Sequence, residues 1–191
     1  MVFFYLNYHI KPNDVFITDI NGMPSEWGDY YEGQPVARAK KPPLFIYDKG
    51  KMVKQDWLQG IQSIPVISSR LKALFETEEG VEAEYHPVTL RCEETRMEDK
   101  DYFFMNVLGN IKCINPSASE VSYFTPDSDV ITDIDKLVLD TTRIGKRTLF
   151  RVDEFPTLLL FGESLKDKIS MAGMTGMDWD DAKDYNTALT F

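Results

Sequence analysis

The residues best suited to acid–base chemistry in this sequence are its two histidines, His9 and His86, because imidazole titrates close to neutral pH. His86 precedes Pro87 at the end of a predicted strand, and the glutamates of residues 76–84 supply nearby acids. Catalysis would also require a nucleophile or a carboxylate held beside His86. The sequence has neither a Gly-x-Ser-x-Gly elbow nor a Gly-rich phosphate loop. We therefore favour a structural or exposed histidine, and keep a small enzyme or ligand-binding domain built around His86 as an alternative hypothesis.

Two acidic clusters indicate either cation binding or contact with a basic protein. The glutamate cluster comprises Glu76, Glu78, Glu79, Glu82 and Glu84, and the aspartate cluster comprises Asp127, Asp129, Asp133 and Asp135. In the aspartate cluster Ile131 stands where an EF-hand loop would need an oxygen ligand, and no glycine is present. We predict no metal and no cofactor, interpret the aspartates as a solvated acidic loop, and treat both clusters as candidate docking faces for a basic protein.

Aromatic and basic residues add further candidates for a binding surface. Trp27, Tyr30 and Tyr31 are candidate exposed anchors, since tryptophan and tyrosine are enriched at the centres of protein interfaces. Basic residues cluster in residues 38–54 and 143–151. In so acidic a chain we expect these cations to pair with surface carboxylates.

Length, composition and charge limit the class of protein. The chain has 191 residues, of which 43% are hydrophobic and 13% aromatic, so it can bury a core as a folded domain. A formal net charge of −10 argues against binding to nucleic acid or to an anionic membrane surface, and no apolar run reaches the length of a membrane span. The cysteines, Cys92 and Cys113, match no zinc or redox motif. We expect free thiols in a cytoplasmic protein that is not an enzyme.

The elements that would position these residues centre on residues 64–90. An apolar run at 64–67 predicts a buried strand, and Ser68 or Ser69 predicts the N-cap of a helix. The apolar face of that helix carries Leu71, Leu74 and Phe75. Gly80 can end the segment in a left-handed conformation, and alternation from residue 81 onward predicts a second strand.

A similar unit appears near the C-terminus of the sequence. Residues 157–161 predict a strand, Ser164 a helix cap, and Leu165 and Ile169 the buried helix face. Gly173 and Gly176 end this unit, and Trp179 begins a final predicted strand. The predicted fold is α+β in a single domain of residues 1–191, with a mixed or antiparallel sheet, a few short helices and two related strand–helix halves. Residues 1–33 form an irregular N-terminal part with a first strand.

Six short segments occur in an order that resembles a known family. They are Asp-Trp-Leu at 56–58, Ile-Pro-Val-Ile-Ser-Ser-Arg-Leu-Lys at 64–72, Glu-Tyr-His-Pro-Val at 84–88, Tyr-Phe-Phe-Met-Asn-Val at 102–107, Leu-Phe-Arg at 149–151, and a Leu-rich strand before Ser-Leu-Lys at 164–166. From about residue 30 onward the chain resembles bacterial immunity proteins of polymorphic toxin systems, in which a neighbouring gene encodes a toxin delivered to rival cells. The first thirty residues and the Asp-rich stretches do not match.

The resemblance implies a cytoplasmic protein that binds and neutralises a cognate toxin, with no catalytic residues to carry over. Joined with the acidic charge, it predicts a toxin with a basic surface as the partner. A third hypothesis is a structural component of a secretion system, which would show a large apolar oligomer interface. The oligomeric state is left open.

Overall fold

The computed structural model of the chain describes residues 1–7, 11–50, 52–61, 64–125 and 130–189, with the side chains of Trp27 and Leu189 outside the description. The strands in these residues are β1 (Phe3–Asn7), β2 (Phe16–Ile17), β3 (Asp19–Asn21), β4 (Leu44–Tyr47), β5 (Trp57–Gly60), β6 (Val66–Ser68), β7 (Ala83–Cys92), β8 (Glu98–Val107), β9 (Glu120–Tyr123), β10 (Ile131–Lys136), β11 (Leu149–Val152), β12 (Phe155–Gly162) and β13 (Asp178–Asp181). The helices are α1 (Ser69–Glu76), α2 (Glu163–Met171) and 3₁₀ helices at Trp27–Tyr31, Thr141–Arg143, Ala182–Asp184 and Thr187–Leu189. The fold is α+β in a single domain, as predicted.

The larger of two main sheets is mixed and is built from consecutive parts of the chain. Its seven strands run in the order β2-β5-β6-β8-β7-β4-β3. The β2–β5 and β4–β7 pairs are parallel, and the remaining pairs are antiparallel. The long β7–β8 hairpin forms the centre of this sheet, and its strands are paired on their outer sides by β4 at residues 89–92 and by β6 at residues 102–104.

The second sheet joins the two ends of the chain. It has the order β11-β12-β1-β13 and is antiparallel throughout. The first strand lies between two late strands, with Phe3 opposite Gly162 and Leu6 opposite Trp179. The predicted strand at Trp179 is therefore confirmed, and it borders the strand predicted at the start of the chain. Strands β9 and β10 form a separate two-stranded ribbon.

Local signals account for helix α1 and for most of α2. The Ser68 hydroxyl accepts a hydrogen bond from Leu71 N at 3.2 Å, so Ser68 is the predicted cap. The cap predicted at Ser164 is wrong, because α2 begins directly after Gly162, which has no side chain to cap it. Glu163 instead places a negative charge in the first turn, where the helix dipole favours it. Gly173 follows the helix in the left-handed region with φ of 62°.

Apolar side chains pack in three layers around the two main sheets. Both helices contribute to the middle layer, where Leu71 and Phe75 of α1 and Leu165 and Ile169 of α2 are buried together with residues of both sheets. Strand β12 is buried on both faces, since Leu158 and Leu160 belong to an outer layer and Leu159 and Phe161 to the middle one. This double burial explains the continuous apolar run at residues 157–161. In the described part of the chain no helix is both long and apolar enough to cross a membrane.

The loop after α2 is held tightly against β5. Trp57 N donates to Thr175 O at 3.0 Å. The carboxylate of Asp56 accepts hydrogen bonds from Thr175 N at 2.9 Å, Thr175 Oγ1 at 3.1 Å and Ser68 Oγ at 2.7 Å. Gly176 has φ of 84°, and a Cβ atom there would lie 2.2 Å from Trp57 O. Only glycine allows this approach of two backbones.

Candidate partner-binding surface

The ribbon of β9 and β10 combines a buried inner face with an exposed outer one. Ile131 pairs with Tyr123 and Ile134 with Val121, and the register shifts twice along β10. Each shift inserts an extra residue, so the inward positions are 131 and 134 rather than alternate residues. Ile131 and Ile134 are buried against the outer face of the four-stranded sheet. The residues between them therefore face solvent.

Side chains from the end of the chain and from the base of the ribbon hold it in place. Ile134 N donates to Thr187 Oγ1 at 3.0 Å, and Asn186 Nδ2 donates to Asp135 O at 3.1 Å. At the base, Ser119 Oγ exchanges hydrogen bonds with the backbone of Val138, at 2.9 Å to its N–H and 3.0 Å to its C=O. These bonds fix the inner face and the base of the ribbon.

Away from the base, the ribbon carries large apolar side chains that are exposed. Phe124 is 75% exposed, Val130 62% and Tyr123 45%, and Phe124 N donates to Val130 O at 3.0 Å, which extends the pairing beyond β10. A single exposed apolar residue is ordinary, whereas several on one hairpin form a candidate interaction site. We call Tyr123, Phe124 and Val130 the apolar tip.

Carboxylates on the same ribbon accompany the apolar tip. Asp133 and Asp135 are exposed on β10, and the Glu120 side chain is 70% exposed on β9. Among the described residues, Asp133 and Asp135 form no ion pair, and Lys136 approaches Glu120 only to 4.0 Å. The ribbon thus presents three carboxylates against one lysine.

The aspartate cluster is only partly a loop. Asp133 and Asp135 lie on strand β10, so the prediction of a solvated loop is wrong for these two residues, because Ile131 and Ile134 anchor their segment in the core. Asp127 and Asp129 lie outside the described residues.

Most carboxylates of the glutamate cluster are engaged within the chain. Glu76 pairs with Lys72 at 2.6 Å and Glu78 pairs with Lys168 of α2. Glu82 pairs with Arg147 at 2.6 Å. Exposed pairs of this kind contribute little to stability, but they reduce the charge that the cluster presents.

Glu84 and Glu79 complete the glutamate cluster and differ from each other. The Glu84 carboxylate accepts hydrogen bonds from Val36 N at 3.0 Å and Asn106 Nδ2 at 3.3 Å. Burial raises its pKa, but these hydrogen bonds and His86 outweigh burial and hold the pKa of Glu84 below its usual value. Glu79 is exposed and forms no ion pair with any residue that the structure describes. The glutamate cluster is therefore not a continuous free acidic face.

One of the three predicted aromatic anchors, Tyr30, lies inside the protein. Tyr30 is 2% exposed and its ring meets Phe104 edge to face at 5.4 Å, so the prediction of an exposed anchor at Tyr30 is wrong. The 3₁₀ helix of Trp27–Tyr31 turns this side chain into the core. Tyr31 is half-buried, with its ring centre 5.1 Å from the Arg151 guanidinium carbon. The side chain of Trp27 lies outside the described part of the chain.

The environment of His86 is that of a core residue. Its ring is 4% exposed and stacks on Phe104 with 4.4 Å between centres and 5° between planes. Nε2 lies 3.5 Å from Glu84 Oε2. Burial lowers the pKa of His86 despite the opposing effect of the Glu84 carboxylate. This arrangement favours a neutral, stacked imidazole, which is the structural role that we favoured from sequence.

The described residues hold no group of three or more His, Cys, Asp or Glu side chains that could bind a metal ion. Cys92 and Cys113 are free and fully buried in different apolar layers.

Some of the clustered basic residues form ion pairs and others do not. Lys54 pairs with Asp99 and Arg143 with Asp140, whereas Arg38, Lys40 and Lys41 are exposed with no ion pair to a described residue. The expectation of pairing is wrong for these three and also for Lys49 and Lys146, which are exposed and form no ion pair with a described residue.

Sequence reasoning did not single out the apolar tip. A signal was present, because Val-Ser-Tyr-Phe at 121–124 and Val-Ile at 130–131 flank Thr-Pro-Asp-Ser-Asp at 125–129. Two β-prone runs around such turn residues predict a hairpin. The spacing of the two runs predicts the hairpin but does not predict which face of it is buried.

Comparison with models of protein families gives a match over most of the chain. The model of the family described as "Immunity protein family (Imm11)" matches residues 8–184. No curated protein matches the chain.

Proposed function

Because this chain belongs to the immunity protein family Imm11, we propose that it neutralises a cognate protein toxin by binding it, without catalysis. The observation that carries this proposal is the family match, which covers residues 8–184 and so includes nearly all the described core. The resemblance found in the sequence implies the same role. We place the protein in the cytoplasm, where it would meet a toxin that threatens the producing cell.

The environment of His86 supports binding rather than catalysis. A general base must reach the proton that it abstracts, but His86 is 4% exposed and stacked on Phe104. The interactions of Glu84 with Val36 N and Asn106 occupy the acid closest to His86. A pair with these contacts is suited to holding residues 34–36 on the sheet.

The proposed mechanism is electrostatic capture followed by burial of apolar surface. Carboxylates on the immunity protein would meet a basic surface of the toxin, which speeds association and makes the on-rate depend on salt. Toxins that act on nucleic acids or nucleotides often carry basic active-site clefts, and an acidic inhibitor can imitate the charge of their substrate. Affinity then requires an apolar centre from which water is excluded.

The test is co-expression with the toxin encoded beside this gene, followed by titration of the purified proteins. We expect the chain to restore growth, to form a complex of fixed stoichiometry, and to release active toxin of unchanged mass when the complex is denatured and the toxin refolded. His86→Phe should protect cells as well as the parent does. Inactivation of the toxin by far less than one equivalent, or a change in its mass, would show catalysis and overturn the proposal.

A further inference from the structure

We propose that the apolar tip of the β9–β10 ribbon, with Asp133 and Asp135 beside it, is the surface that docks into a basic cleft of the toxin. This inference rests on the proposed immunity function and identifies the face that performs it. Neither acidic cluster predicted from sequence contains a residue of the apolar tip. The occupant to which we commit is the toxin, and a second copy of this chain is an outcome that the test separates.

Exposure of the tip is the first argument. Phe124 is 75% exposed and follows a ribbon in which Ile131 and Ile134 are buried. An aromatic ring in this position stays in water in the free protein and becomes a centre of binding energy when a partner covers it. Tyr123 and Val130 lie beside it on the same hairpin, paired through the Phe124–Val130 backbone hydrogen bond.

Preorganisation of the ribbon is the second argument. Thr187 and Asn186 hold β10 from the side, and Ser119 closes the base. A surface that is already ordered loses less conformational entropy on binding, so more of its contact energy appears as affinity.

Charge identifies the kind of partner. Asp133 and Asp135 have no ion pair among the described residues, so a basic partner would not have to displace an internal cation. Glu76, Glu78 and Glu82 are already paired with Lys72, Lys168 and Arg147. The ribbon is therefore the better candidate of the two acidic surfaces.

The same charge argues against a second copy as the occupant. A symmetric dimer formed through the ribbon would bring Asp133, Asp135 and Glu120 of each chain close to those of the other. Like charges placed across an interface oppose association. A toxin with lysines and arginines around its cleft meets both requirements, because it covers the apolar tip and neutralises the carboxylates.

The first experiment reverses charge with a matched control. Asp133→Lys with Asp135→Lys changes the net charge by the same amount as Glu32→Lys with Glu79→Lys, and Glu32 and Glu79 are also exposed and unpaired among the described residues. At low salt we expect the ribbon variant to bind the toxin at least about 10-fold more slowly and to lose most of the salt dependence of the on-rate. At an ionic strength of about 0.15 M the control should stay within about 3-fold of the parent and the ribbon variant should still bind more slowly than the control, because charges farther than the Debye length of about 8 Å from the contact are screened.

The second experiment removes the apolar anchor. Phe124→Ser should raise the dissociation rate by about 10–100-fold, since changes at an interface act mainly on dissociation. The control is Met97→Ser. Met97 lies in the turn between β7 and β8 and is also a large apolar residue, 70% exposed. Melting temperatures within a few degrees of the parent establish that the variants are folded, and sedimentation of each free protein measures self-association.

The outcomes separate the two proposals. If the parent does not protect cells or bind the toxin, the immunity function fails. If the parent protects and both ribbon variants bind the toxin as the parent does, the docking surface is wrong and the function stands. If the ribbon variant and the control lose association rate equally, the cause is net charge, and the proposal that the ribbon is the docking surface is wrong. Conversion of a dimer to a monomer by the ribbon variants would make a second copy the occupant and also overturn it.

Discussion

Substitution of Gly176 by alanine tests the packing of the loop after α2 against β5. Gly176 and Gly145 both have positive φ, at 84° and 65°, but their surroundings differ. A Cβ at Gly176 would lie 2.2 Å from Trp57 O, whereas a Cβ at Gly145 would have no atom within 4 Å. Gly145→Ala is therefore a matched control that carries the backbone strain without the clash.

The expected magnitudes follow from these contacts. A left-handed L-residue costs about 1–2 kcal/mol, which both variants share. At Gly176 the loop must also move away from β5, which disturbs the hydrogen bonds from Trp57 N to Thr175 O and from Thr175 to the Asp56 carboxylate. Three such bonds at about 1 kcal/mol each add about 3 kcal/mol. Because 1 kcal/mol corresponds to about 2–4 °C for a domain of this size, Gly176→Ala should melt about 6–12 °C below Gly145→Ala.

The assay is thermal and urea unfolding followed by circular dichroism. The two variants should show equal urea m-values, since both unfold the same surface. Melting temperatures that agree within about 2 °C would refute the reasoning, because the loop would then accommodate a methyl group without losing its bonds to β5.

Three further predictions concern the core and the titrating groups. Leu71→Ala should lower the free energy of unfolding by about 2–5 kcal/mol, and Leu74→Ala by clearly less, because Leu71 is fully buried and Leu74 only half-buried; equal losses in urea titrations would contradict the assigned helix face. Burial raises the pKa of Cys113 to about 12, so neither Cys113 nor the fully buried Cys92 should react with a disulfide reagent at pH 8 until the protein unfolds, and alanine at both positions should preserve toxin binding. Burial lowers the pKa of His86 in the folded protein, so the folded state favours the neutral imidazole. The free energy of unfolding should therefore fall as the pH drops below the pKa of the unfolded histidine, about 6.5. His86→Phe should flatten this part of the pH dependence, and an unchanged pH dependence would exclude His86 as its source.

The parts of the fold that sequence predicted are those set by neighbouring residues. Helix α1 has its cap at Ser68 and buries Leu71 and Phe75, all within one short segment. The start of α2 was displaced because the pairing of Gly162 with Phe3 sets where β12 ends. Such long-range pairing leaves no mark on nearby sequence, so the order of strands in both sheets was not predictable.

The candidate site shows the same limit. Lys168 lies 90 positions from Glu78, and Arg147 lies 65 positions from Glu82. The sequence around the glutamate cluster therefore does not predict which cations neutralise it. Two bulges in β10 place Asp133 and Asp135 outward, whereas simple alternation would have put both on the side of Ile131. Tyr30 was misplaced because a turn-rich composition does not show the 3₁₀ helix that turns its ring inward.

The position of β1 between β12 and β13 sets an order of events during synthesis. Phe3 leaves the ribosome long before its partner Gly162, and Leu6 before Trp179. The seven-stranded sheet draws only on residues 16–107 and can form while the later strands are still being made. Strand β1 must wait with its apolar side chains unpaired, since contacts between distant residues form slowly and leave incomplete chains prone to aggregation. A stalled or prematurely terminated chain that lacks β12 therefore leaves Leu6 of β1 and the middle-layer residues of the seven-stranded sheet without Leu159 and Phe161, which pack against them in the complete fold.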